Sequence, residues 1–381
     1  MSPKSSREPL TGKLDDYLLR FPEEPGYLDY ARVAPVGRTV LEEQNALLSA
    51  LATARHGSLA LLDAQHERMR AAVADLLDCR PDQVAFQPST SPGLFQALSG
   101  LTGGVAFSLA ESPAIGYAVN RVADATGAIS AHPVATEHGR LTPSELRAGL
   151  DAAVTTVVVA LVDERTGVLA DLDGIRQVIG DRMLIVDATQ GAGIVDAPFD
   201  LADVVVGGGH TWLRGGPGTG YLALSDRALD RITPSWSGYA AAQGDPYAGE
   251  VTDPPSGAAA FEVSPPDPVA AARLAAAVDE ALDVGVAALG ARVAEHVSRL
   301  IDLADEYAVP VLSPRAETER AGIVILAPEP EHVTALAASL HNHGVSATVR
   351  DAAVRLSAHA TVPEETFAML RAALLSFSTA I

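Results

Sequence analysis

The sequence predicts an α/β protein: a large domain on a mainly parallel, helix-covered sheet, plus a small α/β C-terminal domain. Two observations carry this. Between residues 84 and 224, short continuous apolar runs alternate with helical segments, the pattern of strands covered on both faces. From about Phe261 the pattern changes to a long Ala-rich helix and then a compact strand-and-helix unit. A chain of 381 residues, 48% hydrophobic, is long enough to bury both cores.

Residues 1–25 are polar and read as an N-terminal arm, flexible or wrapped on a partner. Residues 26–260 read as the large domain, whose first helices could pack with the small one. Residues 261–381 read as a linking helix and the small C-terminal domain. Along the chain, 27–30 is a short strand or turn and 36–55 a helix. A helix over 66–77 follows from Met69, Val73, Leu76 and Leu77, whose spacing gives one apolar face. A strand at 84–86 leads into a Ser/Thr-rich loop, and a helix starts near Leu94. Further strands are expected at 105–108, 129–133, 157–162, 183–186, 204–206 and 221–224. Helices over 268–289 and 292–307 follow. The closing unit has strands at 323–326, 345–349 and 354–357 and helices over 331–343 and 363–376. Ligands of such sheets sit at the carboxyl ends of the strands, where Asp187, His210 and Thr211 fall.

Composition excludes several function classes. The net charge of −21, with no Lys/Arg-rich run, argues against nucleic acid and anionic membranes as partners. A small molecule or another protein is expected instead. Cys79 is the only cysteine, so no intrachain disulfide can form, and a reducing cytoplasmic setting is expected. Its place at a helix end suits a structural role. The N-terminus lacks the apolar stretch of a signal peptide, and the apolar run near 154–162 is too short to span a bilayer.

The motifs are individually modest. Pro88-Ser89-Thr90-Ser91-Pro92-Gly93, between a strand and a helix, offers hydroxyls and free backbone N–H groups to a phosphate; it reads equally well as a plain helix cap. Asp187 at a strand end could be a cap, a metal ligand or an acceptor for a protonated ring nitrogen. No His/Asp/Glu cluster with ligand spacing lies nearby, so no metal is expected. His210 alone could be a core histidine.

In order and spacing these pieces resemble the fold-type I pyridoxal-phosphate (PLP) enzymes, in the class V aminotransferase group with cysteine desulfurases and kynureninases. The resemblance runs from Tyr27 to Ile381. It is strongest in Asp187-Ala188-Thr189-Gln190, then Gly209-His210-Thr211-Trp212-Leu213, then Gly215-Gly216-Pro217-Gly218. It implies that Thr90 and Ser91 cradle the cofactor phosphate and that Asp187 pairs with the pyridinium nitrogen. Gln190 would contact the ring's phenolic oxygen, and His210 would lie near the phosphate or ring edge. Arg355 would grip a substrate carboxylate, with Arg214 and Arg350 as further anion contacts. Ser264 would reach the phosphate across a homodimer interface.

Three positions depart from the family's pattern. Thr211 stands where the resemblance places the Schiff-base lysine, and the only lysines are Lys4 and Lys13. Arginine outnumbers lysine 25 to 2, a bias of GC-rich coding that accounts for few surface lysines but not for this one. Glu164 stands where an asparagine usually meets the ring oxygen. Ser112 stands where a histidine or aromatic ring usually stacks, although Tyr117 is close enough in sequence to supply one. Three readings follow. The chain holds PLP or pyridoxamine phosphate (PMP) noncovalently, with His210 as proton shuttle. Or it is a cofactor-free enzyme using Glu164, His210 and Arg355 for rearrangement, cyclisation, hydrolysis or transfer. Or it is a non-catalytic dimeric partner. The first is preferred, because Asp187 and Gln190 have little purpose without a pyridine ring. An amino-acid-like or other carboxylate is the expected substrate, resting on Arg355.

Overall fold

Seven strands build the main sheet: β1 (Val84–Gln87), β2 (Gly103–Phe107), β3 (Ile129–Pro133), β4 (Val154–Ala160), β5 (Met183–Asp187), β6 (Val204–Gly208) and β7 (Gly220–Leu224). The structure is a computed structural model and describes residues 10–136, 141–239, 242–243, 245, 247, 249–350 and 352–380. The strand order is β1-β7-β6-β5-β4-β2-β3. Strands β3, β2, β4, β5 and β6 pair in parallel, and β7 runs antiparallel between β6 and β1. Its direction follows from its connection. Residues 209–219 form a glycine-rich return with no helix, which cannot make the crossover that a parallel partner needs.

Both faces are covered, as the continuous apolar strands require. In β4 the side chains alternate: Val157 and Val159 enter one core cluster, Val158 and Ala160 the other. Helices α4 (Thr90–Ser99) and α5 (Pro113–Thr126) cover the second face with Leu94, Leu98, Ile115 and Val119. On the first face lie α7 (Leu172–Ile179) and α9 (Pro268–Val284), through Ile175, Leu274 and Val278. Helices α2 (Arg38–Thr53) and α3 (Ser58–Leu77) pack on α9. The expected break between the two long helices comes earlier than the sequence suggests. Gly285, with φ of 96°, ends α9, and α10 (Val286–Glu306) starts at the next residue. Two short helices, α6 (Pro143–Gly149) and α8 (Asp226–Arg231), complete the sheet's connections.

The C-terminal unit is a three-stranded antiparallel sheet with β10 (Ala353–Ser357) between β8 (Ile323–Leu326) and β9 (Thr348–Arg350). Helices α11 (Val333–Asn342) and α12 (Glu364–Ala380) accompany it. Residues 27–30 join this unit: Tyr27 and Asp29 bridge in parallel to Ser346 and Ser357.

Residues 10–25, expected as an arm either flexible or wrapped on a partner, pack on this chain. Leu14, Tyr17, Leu18 and Phe21 recur at three- and four-residue spacing, and α1 (Leu10–Leu18) lays this stripe on α9 and α10. Lys13 pairs with Asp283 at 2.8 Å and Arg20 with Glu280 at 3.0 Å. Among the described residues, no helix is long and apolar enough to cross a membrane.

Candidate functional site

The parallel strands deliver their carboxyl ends to one edge of the sheet, and a cleft of about 240 Å³ opens there. Thr90, Ser91, Glu164, Asp187, Gln190, His210 and Arg355 all line it. Ser112 and Arg350 line it too, whereas Thr211, Arg214, Tyr117 and Ser264 do not.

Asp187 ends β5 and is buried. Its Oδ1 accepts from the Thr189 hydroxyl at 2.6 Å and the Thr189 N–H at 3.0 Å. No arginine, lysine or histidine among the described residues pairs with it. Burial pushes its pKa up, and the Glu164 charge adds to that, while the Thr189 and Ser112 bonds pull it back. A buried carboxylate of this kind gains most from a cationic N–H donor. Thr189, which the sequence reading passed over, also joins Thr90, hydroxyl to hydroxyl at 2.5 Å. The signal for it was an aspartate two residues before a threonine, the spacing of a local side-chain turn.

Thr90 and Ser91 open α4, whose first N–H groups have no intrahelical partner and whose dipole favours an anion. Ser89 precedes them in extended conformation, and its side chain makes no capping bond. Gly208 is required opposite. A Cβ there would lie 2.9 Å from His210 Nδ1 and 3.1 Å from Thr90 Oγ1, filling the space between them. Burial lowers the His210 pKa, so its imidazole is neutral near pH 7.

Gln190 lines the cleft with its amide already engaged. Its Nε2 donates to the Ala31 carbonyl at 2.9 Å, and its Oε1 accepts from Trp212 Nε1 at 2.8 Å. Both ends of the amide brace the protein. Thr211 is 1% exposed, and its hydroxyl donates to the Thr189 carbonyl at 2.8 Å. Ser264 is exposed. Tyr117, 67% exposed, lines a neighbouring cavity and not the cleft.

Glu164 lies between two guanidinium groups, 3.5 Å from Arg350 and 3.5 Å from Arg355. Those cations offset the repulsion that its charge would give an anionic ligand. Arg355 is 5% exposed and also lies 3.8 Å from Asp29. Burial lowers its pKa, countered by Glu164 and Asp29, and a guanidinium stays charged regardless. Its Nε and Nη2 are buried without a hydrogen-bond partner among the described residues, with the Asp29 carboxylate beside Nη2, while Nη1 lies by Glu164.

Arg214 takes a structural role, away from the cleft. It is 1% exposed and donates to Pro35 O at 2.6 Å, Thr361 Oγ1 at 2.6 Å and Glu23 Oε2 at 2.9 Å. Its guanidinium also lies 3.6 Å over the Phe21 ring.

Comparison with known proteins decides the family. The family model for aminotransferase class-V matches residues 26–380. The chain belongs to the class V aminotransferase family. It is 30% identical to kynureninase of Deinococcus radiodurans over 272 residues, 67% of this chain and 64% of that protein. The chain thus spans just under two thirds of the curated relative's length. Apo cysteine desulfurase from Thermococcus onnurineus NA1 superposes with a TM-score of 0.86 at 20% identity, covering 99% of this chain and 100% of that one. A lysine-to-alanine mutant of C-DES, with glycine covalently linked to its PLP cofactor, gives 0.84 at 21% identity, covering 93% and 98%. These two share the fold.

One buried carboxyl near the class V site was not legible in the sequence. Glu111 Oε1 accepts from the Ala160 N–H at 3.1 Å at the end of β4, while Oε2 has no partner. Burial, with Asp163 and Asp187 nearby, raises its pKa well above 4.5. The folded protein therefore keeps a proton that the unfolded chain releases. Stability falls as pH rises from about 4.5 through the raised value. Glu111→Gln removes that share. Its melting temperature should decline with pH less steeply than that of the wild type; parallel declines would assign the proton elsewhere.

Proposed function

We propose that this class V protein binds PLP or PMP without a covalent bond to the chain and acts on an amine-bearing carboxylate. The carrying observation is Asp187, a buried carboxylate at the sheet edge that pairs with no cation among the described residues. The residues present fit such a group. Asp187 would hold a protonated ring nitrogen, and the α4 N-terminus with Thr90 and Ser91 would hold the phosphate in the space that Gly208 leaves. Arg355, in the cleft wall beside Arg350, would attract the substrate carboxylate with its charge. When bound, the ring supplies an electron sink for charge developing at the carbon bearing the amine. His210, kept neutral by burial, is the base that takes the proton from that carbon.

The lysines support noncovalent binding. Lys13 is the only lysine among the described residues, and it is bonded to Asp283 away from the cleft. The Thr211 hydroxyl is a poor base and forms no stable imine. The C-DES mutant supports the reading by example, since that protein holds its cofactor without the lysine that was replaced. Calorimetric titration with PLP and with PMP, with an absorption spectrum, tests the proposal. Saturable binding of either supports it; binding of neither overturns it.

Thr211→Lys is expected to create the missing attachment. After borohydride reduction, mass spectrometry should find PLP on a peptide containing residue 211 and on no wild-type peptide from the cleft. PLP bound by the variant without that adduct would show that position 211 does not face the cofactor.

A further inference from the structure

A second cavity of about 880 Å³ opens beside the cleft, and both have Ser112, Glu164, Arg350 and Arg355 in their walls. Its volume falls within the range of about 300–1,000 Å³ typical of sites for drug-sized ligands. Away from the shared wall, Leu109, Pro113, Gly116, Leu312, Ile325 and Ala353 give it an apolar lining. Several polar residues in the wall already have partners. Asn120 donates to Gly116 O at 2.8 Å, the Thr166 hydroxyl bonds Asp163, and Arg165 reaches the Leu109 and Ala110 carbonyls at 3.4 and 3.5 Å. The small side chain of Ser112, at the start of α5, stands in the wall common to both. Arg355 and the more exposed Arg350 both stand in that wall, so a carboxylate drawn to these guanidinium groups leaves the rest of its molecule at the mouth of the larger cavity.

We propose that this cavity is the side-chain pocket of the site and selects carboxylates bearing an extended apolar chain. The inference rests on the proposed function for what happens at the amine, but not for the grip on the carboxylate. Gly116 is the position to probe. It lies within α5, and a Cβ there would meet Leu109 at 3.4 Å and Phe107 at 3.8 Å, ordinary contact distances that the fold accepts.

The experiment is calorimetry with two homologous series. One is straight-chain alkanoates from butanoate to decanoate; the other is the matching 2-amino acids in the presence of PLP. In the wild type, Kd should fall about fourfold per added methylene until the cavity is full. Gly116→Leu should cut the series short, raising Kd most for the longest members. Gly116→Ala makes the same comparison with a smaller shift if the leucine variant does not fold. Arg355→Ala should weaken every member. A Kd independent of chain length, or an undiminished slope in both Gly116 variants, overturns the pocket. The alkanoates carry no amine, which separates the two ideas. A chain-length slope with no PLP binding leaves the pocket standing and removes the cofactor, while PLP binding with a flat slope does the reverse.

Discussion

Replacing Asp187 with alanine is expected to weaken PLP and PMP binding by about 10- to 150-fold, the loss of one charge-assisted hydrogen bond of about 1.5–3 kcal/mol. The carboxylate is buried at the end of β5 and pairs with no cation among the described residues, which suits a cationic partner on the ligand. Asp187→Asn sharpens the test. It keeps an oxygen for the Thr189 hydroxyl and N–H but removes the charge, so binding should fall nearly as far as in the alanine variant. The wild type should also bind more weakly as pH falls through the raised Asp187 pKa, because a protonated carboxyl no longer attracts a pyridinium. The unliganded variants should show the opposite sign in stability. Removing a carboxylate that burial disfavours relieves the fold as pH rises. Unchanged Kd in both variants would sink the cofactor reading.

Arg214→Ala is expected to cost about 3–5 kcal/mol of folding stability, the range for breaking a buried ion pair by removing one partner. Glu23, whose side chain is 4% exposed, would be left without its cation. Tyr30 and Thr361 hydroxyls would still bond its Oε1, at 2.9 and 2.5 Å, but they carry no charge. Burial alone would raise the Glu23 pKa; Arg214 reverses this and holds it below 4.5. The contribution is therefore complete above pH 4.5 and is lost as pH falls through the lowered value. Chemical denaturation at pH 7 checks the magnitude. A loss under about 1 kcal/mol would mean that the pair contributes no more than an exposed one.

Much of the architecture was legible because it rests on local pattern. The strands at 129–133 and 323–326 match the expected bounds, since each is a short apolar or β-prone run closed by polar or turn residues. The junction of α9 and α10 was misplaced because the Ala-rich sequence stays helix-compatible on both sides of Gly285. Helix α1 was missed because its charged residues mask a stripe that only α9 and α10 make apolar ground for.

At the site, strand-end positions pointed to Asp187 and His210 and the family resemblance to Arg355, and the fold brings all three to one cleft. Partnerships were not legible. Nothing local says that Trp212 and Ala31 take both ends of the Gln190 amide, or that Glu111 is sealed under β4. Arg214 read as an anion contact from its neighbourhood in sequence; its partner Glu23 lies 191 residues away, within a segment that read as an N-terminal arm.

That separation has a consequence for how the molecule lasts. Glu23, Arg214 and Thr361 belong to the beginning, middle and end of the chain, and Arg214 joins the other two across 191 and 147 residues. Contacts between such distant segments carry a large loop-closure entropy and form after the local ones. The clasp is therefore expected to form late, and Arg214→Ala should raise the unfolding rate more than it lowers the folding rate. Interactions absent from the transition state slow unfolding and leave the folding rate unchanged. The clasp thus governs the lifetime of the assembled cleft, not the speed at which the chain reaches it.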